Sequence, residues 1–371
     1  MKFEIKGWGL IAAMSPVTNS TTYSNQPKDY KAIVFTVIFL LIAVAGLSYV
    51  KWWPYYHKAF KAAAEHSIGS SILTGKEATA PAPSLQAALD YAAAYFGSVW
   101  KAAVLGILLG SLVQVLIPSK WLLRVLGKAN FKSTAIAGLA SLPGMMCSCC
   151  AAPIAVGLRK KNVSVGAALA FWIGNPVLNP ATLIFMTFVL SWKFTLMRIV
   201  FGLILTFGIS YLANKFAGNT EVPDTLAQPA VDAPAPQGPL LLRWAAAAGR
   251  MLLAVVPAYI LTVLLLGAAR AWMFPSLGTG IASGILAVLV FTIAGTLFVI
   301  PTAAEIPIIG TFLSFGFGTG AAGALLVTLP AISLPSLLMV YRSFPRRVVW
   351  FVFFSVIAAG ILGGAVGAAV L

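Results

Sequence analysis

The chain has 371 residues, of which 60% are hydrophobic and only 9% are charged. Because soluble domains carry about a quarter charged residues, this composition excludes a soluble globular protein and predicts a multi-pass membrane protein with the lipid bilayer as a partner. The net charge is +16, but Lys and Arg mostly flank the apolar segments. Charges in such positions set the orientation of membrane helices, so they indicate topology and not nucleic-acid binding.

The predicted membrane segments begin after a polar N-terminal stretch, residues 1–31. Ala32–Val50 is long enough to span a bilayer and is predicted to be an uncleaved anchor helix. Six further spans are predicted at Gly97–Ile117, Val163–Leu190, Thr195–Ala213, Met251–Ala268, Gly320–Met339 and Val348–Leu371. Two more apolar stretches, Ser133–Gly157 and Thr279–Leu313, are interrupted, which is typical of a re-entrant hairpin or of a span followed by a half-helix. The predicted fold class is an all-α polytopic membrane protein with roughly 8–10 membrane segments.

Composition divides the chain into four predicted regions. They are an anchor helix with an extracytoplasmic loop (1–96), a first transport repeat (97–213), a cytoplasmic linker (214–240) and a second transport repeat (241–371). The linker is rich in Pro, Ala and polar residues, so we expect it to be flexible and to have no core of its own.

The two predicted repeats resemble each other at an offset of 154 residues, with Pro153 matching Pro307 and Pro176 matching Pro330. The loop at 159–161 has three positive charges, whereas the equivalent loop in the second half has none. Conversely, the loop at Lys193 has few positive charges and its counterpart has three arginines. Opposite charge in equivalent loops predicts opposite sides of the membrane, which is the inverted-topology repeat of secondary transporters.

The three cysteines of the chain, Cys147, Cys149 and Cys150, lie together in an apolar stretch between Pro and Gly residues. We expect them on non-helical backbone that lines a cavity. In extended backbone, residues two apart point the same way, so Cys147 and Cys149 are predicted to face one soft centre. Packing as small hydrophobic residues and a redox disulfide are the alternatives. Three thiols without a nearby histidine do not predict a zinc site, and no cofactor is expected.

Other polar residues and helix breakers complete the predicted site. Glu305 is an isolated carboxylate in an apolar segment, so it is predicted to carry a coupling proton or to pair with a cation. Asn175 and Asn179 are predicted to bind substrate or the backbone around them. The basic residues Lys101, Arg198 and Arg250 are expected to reach the membrane interface, with pairing to Glu305 as the alternative. Helix breaks are predicted at Pro143, Gly144, Pro153, Pro176, Pro180, Pro301, Pro307 and Pro330.

The stretch Pro143–Ala155, followed by Gly166–Phe171 and by Asn175-Pro176 and Asn179-Pro180, resembles the ArsP-type family of predicted permeases. The mark of this family is a Cys-Ser-Cys element before a Pro, then a Gly- and Ala-rich helix and a helix interrupted by Pro. The resemblance implies a transporter of the bacterial or archaeal cytoplasmic membrane. If the role of its better-known members carries over, Cys147 and Cys149 contact the arsenic of trivalent organoarsenicals such as methylarsenite.

The predicted function is therefore that of a secondary permease and not an enzyme. It is expected to export a soft, thiol-reactive small molecule, with proton antiport through Glu305. The predicted substrate-binding residues are Cys147, Cys149, Cys150, Asn175 and Asn179, although Cys150 has no individual role. The alternatives are a permease for another small solute, such as a sulfur or selenium compound, and a membrane thiol-redox protein. The sequence is compatible with a homo-oligomer.

Overall fold

A computed structural model describes residues 30–74, 80–218, 239–275 and 284–371. Most of the predicted linker, 214–240, and nearly all of the N-terminal stretch 1–31 lie outside the described residues. The described part is all-α and contains no β-strand. The predicted fold class, an all-α polytopic membrane protein, is confirmed.

Up to residue 218 the helices are α1 (Tyr30–Leu47), α2 (Trp53–Glu65), α3 (Leu85–Leu116), α4 (Ser119–Leu126), α5 (Phe131–Ser141), α6 (Ser148–Lys160), α7 (Val165–Val177), α8 (Pro180–Val189), α9 (Trp192–Leu203) and α10 (Ser210–Ala217). From residue 239 onward they are α11 (Leu240–Met273), α12 (Ile285–Leu297), α13 (Glu305–Ser314), α14 (Thr319–Ala331), α15 (Leu334–Val340) and α16 (Arg346–Val370). Two turns of π-helix, Ser48–Trp52 and Ile204–Ile209, join α1 to α2 and α9 to α10.

Seven helical segments in the described ranges are long and apolar enough to cross a membrane. They are Ile33–Glu65, Leu85–Leu116, Val165–Val189, Trp192–Ala217, Leu240–Met273, Thr319–Val340 and Arg346–Val370. Each of these segments contains most or all of one of the seven predicted spans. The first continues 15 residues past its predicted end at Val50, because Pro54 lies in the first turn of α2, where a proline costs little. Much of the predicted extracytoplasmic loop is therefore helical.

The two interrupted stretches each form two short helices with a break between them. The first break follows α5 and contains Pro143 and Gly144 in a 3₁₀ turn, after which Met145 has a left-handed backbone with φ of 48°. The second break separates α12 from α13 and contains Pro301 and Ala303, the latter with φ of 70°. Helix breaks at Pro143, Gly144 and Pro301 were therefore predicted correctly.

Two of the predicted helix breaks are wrong. Pro153 lies inside α6, and Pro307 lies in the first turn of α13. The N–H groups in the first turn of a helix have no acceptor within that helix. A proline there therefore removes no hydrogen bond. At Pro153 the helix continues because α3 packs tightly against this turn through Gly106 and Gly110, where an added Cβ would lie within 2.5 Å of the α6 backbone.

Four pairs of helices, α5 and α12, α7 and α14, α8 and α15, and α9 and α16, start 154 residues apart. Arg159 Nε donates a hydrogen bond to Ser343 O at 3.3 Å, so the loop after α6 lies beside the loop before α16. Lys193 Nζ donates to Val370 O at 3.1 Å, at the opposite end of α16. The equivalent loops before α9 and before α16 thus lie at opposite ends of that helix. These contacts favour the inverted arrangement, which stays a prediction.

Candidate functional site

The three thiols lie at the start of α6 and are buried and free of disulfides. Cys147 is the N-cap residue of the helix, and Cys149 and Cys150 are in its first turn. Only Cys147 is therefore on non-helical backbone, contrary to the expectation for all three. Cys147 Sγ lies 3.0 Å from Cys150 Sγ, because residues three apart share one side of a helix. The expectation that Cys147 and Cys149 face one soft centre rests on extended backbone, which the structure does not have at Cys149.

A signal in the sequence favours the contact between Cys147 and Cys150. Cys147 and Cys150 have the C-x-x-C spacing, which brings two thiols together when the first one caps a helix. Cys149 points elsewhere, and its Sγ lies 3.2 Å from the hydroxyl of Ser333, at the start of α15. One helical turn therefore presents thiols in two directions.

Cys149 borders an apolar cavity of about 530 Å³ between α3 and α11. Its walls include Ala92, Phe96, Trp100, Val255, Tyr259 and Met339. The hydroxyl of Tyr259 lies 2.6 Å from that of Tyr95, so the buried phenols satisfy each other. The cavity can hold a small apolar group beside a thiol.

Cys147 borders a different space, a narrow crevice that it shares with Ser148, Thr182 and Glu305. The volume of this crevice is about 10 Å³, room for about one water molecule. Thr182 Oγ1 is buried and has no hydrogen-bond partner among the described residues. The thiols are thus open to a large apolar cavity on one side and to a nearly closed polar crevice on the other.

Glu305 begins α13 and pairs with Arg198 of α9, whose Nη2 donates to Glu305 Oε1 at 3.0 Å. Both side chains are buried. The expectation that Arg198 reaches the membrane interface is wrong, and the alternative of a pair with Glu305 is confirmed. Lys101 and Arg250 are exposed.

Arg198 also donates hydrogen bonds to three backbone carbonyl groups. Its Nε and Nη2 donate to Val177 O at 2.8 Å and Pro176 O at 2.9 Å, and its Nη1 donates to Leu326 O at 3.1 Å. In regular helices the carbonyls of Pro176 and Leu326 would bond the N–H four residues later, where Pro180 and Pro330 stand in this chain. Because proline has no N–H, the guanidinium replaces these missing donors. Arg198 therefore joins the proline-interrupted helices of both halves.

The proline breaks of the following spans agree with this role. Pro176 and Pro330 are the residues before the last in α7 and α14, and Pro180 is the first residue of α8. Pro176 and Pro330 therefore lie inside their helices, one residue before the end, and Pro180 begins a helix after the predicted break.

Asn175 and Asn179 each have one side-chain amide atom that is hydrogen-bonded to the backbone and one that has no partner in the described residues. Asn175 Nδ2 donates to Phe171 O at 2.9 Å, and its Oδ1 is buried without a partner in the described ranges. Asn179 Oδ1 accepts from Ala181 N at 3.0 Å as the cap of α8, and its Nδ2 is likewise unpartnered. Neither borders the crevice or the apolar cavity, so their role in substrate binding stays a prediction.

Two site residues missed by sequence reasoning lie in the π-turn between α1 and α2. Trp52 Nε1 donates to Pro143 O at 2.8 Å, in the first break. Lys51 Nζ donates to Thr302 Oγ1 at 3.1 Å, in the second break. A π-turn frequently marks a functional position in a helix. A Lys next to Trp is also the ordinary signature of a membrane interface, so the sequence pattern did not single these residues out.

The described residues include no group of three or more His, Cys, Asp or Glu side chains that could hold a metal ion. The three thiols do not converge on one point, because Cys149 faces away from the other two. The site therefore favours one or two sulfur contacts to a ligand at a time.

Apolar spans with interrupted helices that meet around buried polar groups are typical of membrane transport proteins. Residues 139–368 match the family of predicted permeases called ArsP_1, and the chain belongs to this family. The chain is similar to the UPF0718 protein YraQ of Escherichia coli (strain K12), with 53% identity over 327 residues, 88% of this chain and 93% of that protein. No solved structure matches it. It is a multi-pass permease of the cytoplasmic membrane and not an enzyme.

Proposed function

We propose that this permease exports a soft, thiol-reactive solute, and specifically a trivalent organoarsenical such as methylarsenite. One observation carries the proposal: the buried thiol of Cys149 lies in the wall of an apolar cavity of about 530 Å³. Thiolates select soft ions, and trivalent arsenic is soft by the same argument. The apolar cavity suits the methyl or aromatic group that such an arsenical carries. A site built for a bare ion would need no apolar space of this size.

The proposed binding step is a ligand exchange. The thiol of Cys149 displaces one hydroxyl group from the neutral arsenical, so that an As–O bond breaks, an As–S bond forms and water is released. Cys147 and Cys150 lie beyond the same helical turn, 3.0 Å apart, and offer a second site for the same exchange. No oxidant or reductant is needed, since arsenic stays trivalent throughout. The separation of Cys149 from the other two thiols keeps binding weak enough for release.

Passage from Cys149 to Cys147 requires the crevice at Glu305 to open, because its present volume of about 10 Å³ excludes the solute. We propose that this opening is coupled to proton antiport at Glu305. A buried carboxylate is costly in a membrane and is a common proton carrier. Protonation would remove the charge that holds Arg198 at 3.0 Å, which supplies a physical link between proton binding and movement of the two halves. Asn175 and Asn179 each offer one unpartnered amide atom for the opened state.

The proposal is tested by methylarsenite accumulation in arsenic-sensitive bacterial cells that express the chain. We expect severalfold lower accumulation than in cells without it, and loss of this effect in Cys149→Ser at equal membrane expression. Ser355→Ala is the matched control, because its hydroxyl bonds only Phe351 O of its own helix. Unchanged accumulation with the parent chain would contradict the arsenical assignment.

Proton coupling is tested separately in proteoliposomes with an imposed pH gradient. We expect Glu305→Gln to keep methylarsenite binding and to lose transport driven by the gradient. Glu65→Gln removes an exposed carboxylate that, among the described residues, pairs with Lys61 alone, and it serves as the control. Equal gradient-driven transport by the parent and by Glu305→Gln would exclude Glu305 as the coupling residue.

A thiol-redox protein is the second candidate, and the 3.0 Å distance between Cys147 and Cys150 favours it. A pair at this distance is placed to form a disulfide. This function predicts a reversible change of thiol state during growth, and no arsenical accumulation phenotype. Mass spectrometry of the alkylated peptide from the same cells distinguishes the two functions.

A further inference from the structure

A second large cavity lies against α2, the segment 67–74 and the break before α13. Its volume is about 560 Å³, and three cations line it: Lys51, Lys58 and Arg270. Several hydroxyl groups share the wall, from Ser70, Ser71, Thr74, Ser98 and Thr302. Within the described ranges its lining contains no carboxylate.

The two deepest cations form no ion pair with a carboxylate of the described residues. Lys51 is only 5% exposed, and two of its three donors bond hydroxyls, Tyr55 at 3.0 Å and Thr302 at 3.1 Å. Arg270 is 6% exposed, its guanidinium makes no hydrogen bond or ion pair among the described residues, and its Nε is buried without a partner. It contacts the ring of Tyr91 at 5.5 Å.

Asp90 is the carboxylate in the described residues that acts electrostatically on Arg270. It forms no ion pair with Arg270, however. Asp90 Oδ1 instead accepts a hydrogen bond from Gln86 Nε2 at 2.8 Å. Asp90 is also exposed to solvent, which screens its charge from the guanidinium.

Such a cluster is costly as it stands. A buried charge without a partner is strongly destabilising, and Lys58 is near enough to Lys51 to repel it. A buried hydroxyl, Thr74 Oγ1, is also without a hydrogen-bond partner in the described part of the chain. Each of these costs is removed by one kind of ligand, an anion with several acceptor oxygens.

We propose that this cavity binds a small oxyanion, with Arg270 and Lys51 as its principal ligands. A guanidinium binds two oxygens of one anion through parallel N–H donors, and an ammonium adds a point charge. The hydroxyls of Thr74 and Ser71 supply further donors at the same wall. The volume admits a sulfate- or phosphate-sized group together with water.

The site is distinct from the thiols but adjacent to them. Pro301, Thr302 and Ala303 line both this cavity and the crevice that contains Cys147 and Glu305. The proposal does not rest on arsenical transport, because it depends on none of the cysteines. Lys51, Lys58 and Thr74 precede the part of the chain that matches the permease family, so the N-terminal helices contribute much of the site.

Binding of radiolabelled sulfate and phosphate to the purified full-length chain in detergent tests the proposal. We expect saturable binding that Arg270→Gln and Lys51→Gln each weaken by about tenfold or more, since a charge-assisted hydrogen bond is lost. Arg270→Lys keeps the charge but loses the parallel N–H donors, so it should bind more weakly than the parent and more tightly than Arg270→Gln. Lys101→Gln removes an exposed cation outside the cavity and is the matched control. The Cys147→Ser/Cys149→Ser/Cys150→Ser variant should bind as the parent does.

The phosphate of an anionic lipid has the same chemistry as a free oxyanion. Nanodiscs of phosphatidylcholine, with or without phosphatidylglycerol, distinguish a lipid phosphate from a free oxyanion. A lipid ligand raises the melting temperature only when phosphatidylglycerol is present. It also competes with sulfate. Gel filtration and melting temperature establish that each variant is folded. The proposal is overturned if neither anion binds saturably and phosphatidylglycerol has no Arg270-dependent effect, or if Arg270→Gln binds as the parent does.

Discussion

Arg198 of α9 donates to Glu305 of α13 at 3.0 Å, across 107 residues of sequence, in a fully buried ion pair. The same guanidinium bonds carbonyls at both proline-interrupted helices, including Pro176 O and Leu326 O. One side chain therefore neutralises the buried carboxylate and satisfies the backbone that two prolines leave open. Because a movement of either half would change these contacts, the pair is placed to link the two halves.

The first prediction concerns the stability of this pair. Arg198→Gln should destabilise the protein by about 3–5 kcal/mol, because it leaves a buried carboxylate and three carbonyls without donors. Glu305→Gln should cost less, since the carbonyl bonds of Arg198 remain. The double variant Arg198→Gln/Glu305→Gln should lose about 0.5–3 kcal/mol less stability than the sum of the two single losses. Thermal unfolding in detergent measures all three, and strictly additive losses would contradict a direct pair.

Hydropathy predicted the seven spans and the two interruptions because each depends on residues close together in sequence. The partner of Glu305 was not predictable in this way, since Arg198 also carries the ordinary signature of an interfacial cation. The sequence does not predict the proximity of Cys147 and Cys150, because Pro153 favours a break where the structure has a helix. Packing of α3 against α6 overrides that local preference. The cluster around Lys51 joins segments more than 200 residues apart and leaves no local pattern.

The second prediction compares two glycines of α3. An added Cβ at Gly106 would lie 2.3 Å from the carbonyl oxygen of Cys150, whereas one at Gly97 meets nothing within 4 Å. Gly106→Ala should therefore cost about 1–3 kcal/mol and displace the thiols. Gly97→Ala should stabilise α3 by up to about 1 kcal/mol. Melting temperatures in detergent measure both changes, and equal values for the two variants would argue against close contact of α3 with α6.

The third prediction concerns the thiols. Mild oxidation with diamide should join Cys147 to Cys150 and leave Cys149 free, because only the first two sulfurs lie 3.0 Å apart. Alkylation followed by peptide mass spectrometry identifies the bond. Cys149→Ser should form it as readily as the parent, and Cys150→Ser should lose it. A bond that involves Cys149 in the parent would show that the start of α6 is not helical.

The fourth prediction concerns the orientation of the two halves. Lys193 and Arg347 are equivalent positions in the repeat, both exposed. Lys193 contacts the C-terminal end of α16, whereas Arg347 lies at the start of that helix. The end with Arg347 also contains the basic loop after α6, so the positive-inside rule assigns it to the cytoplasm. An inverted repeat therefore places residues 193 and 347 on opposite sides of the membrane.

Single cysteines introduced into a chain without native cysteines test this arrangement. An impermeant maleimide should label Lys193→Cys in intact cells, and should label Arg347→Cys only in inverted vesicles. Lys160→Cys should behave like Arg347→Cys, because Arg159 beside it bonds the loop before α16. The cysteine-free parent controls for background labelling. Labelling of positions 193 and 347 from the same side would mean that the repeats are parallel, and the crevice between Cys147 and Glu305 would then not lie on a two-fold axis in the membrane plane.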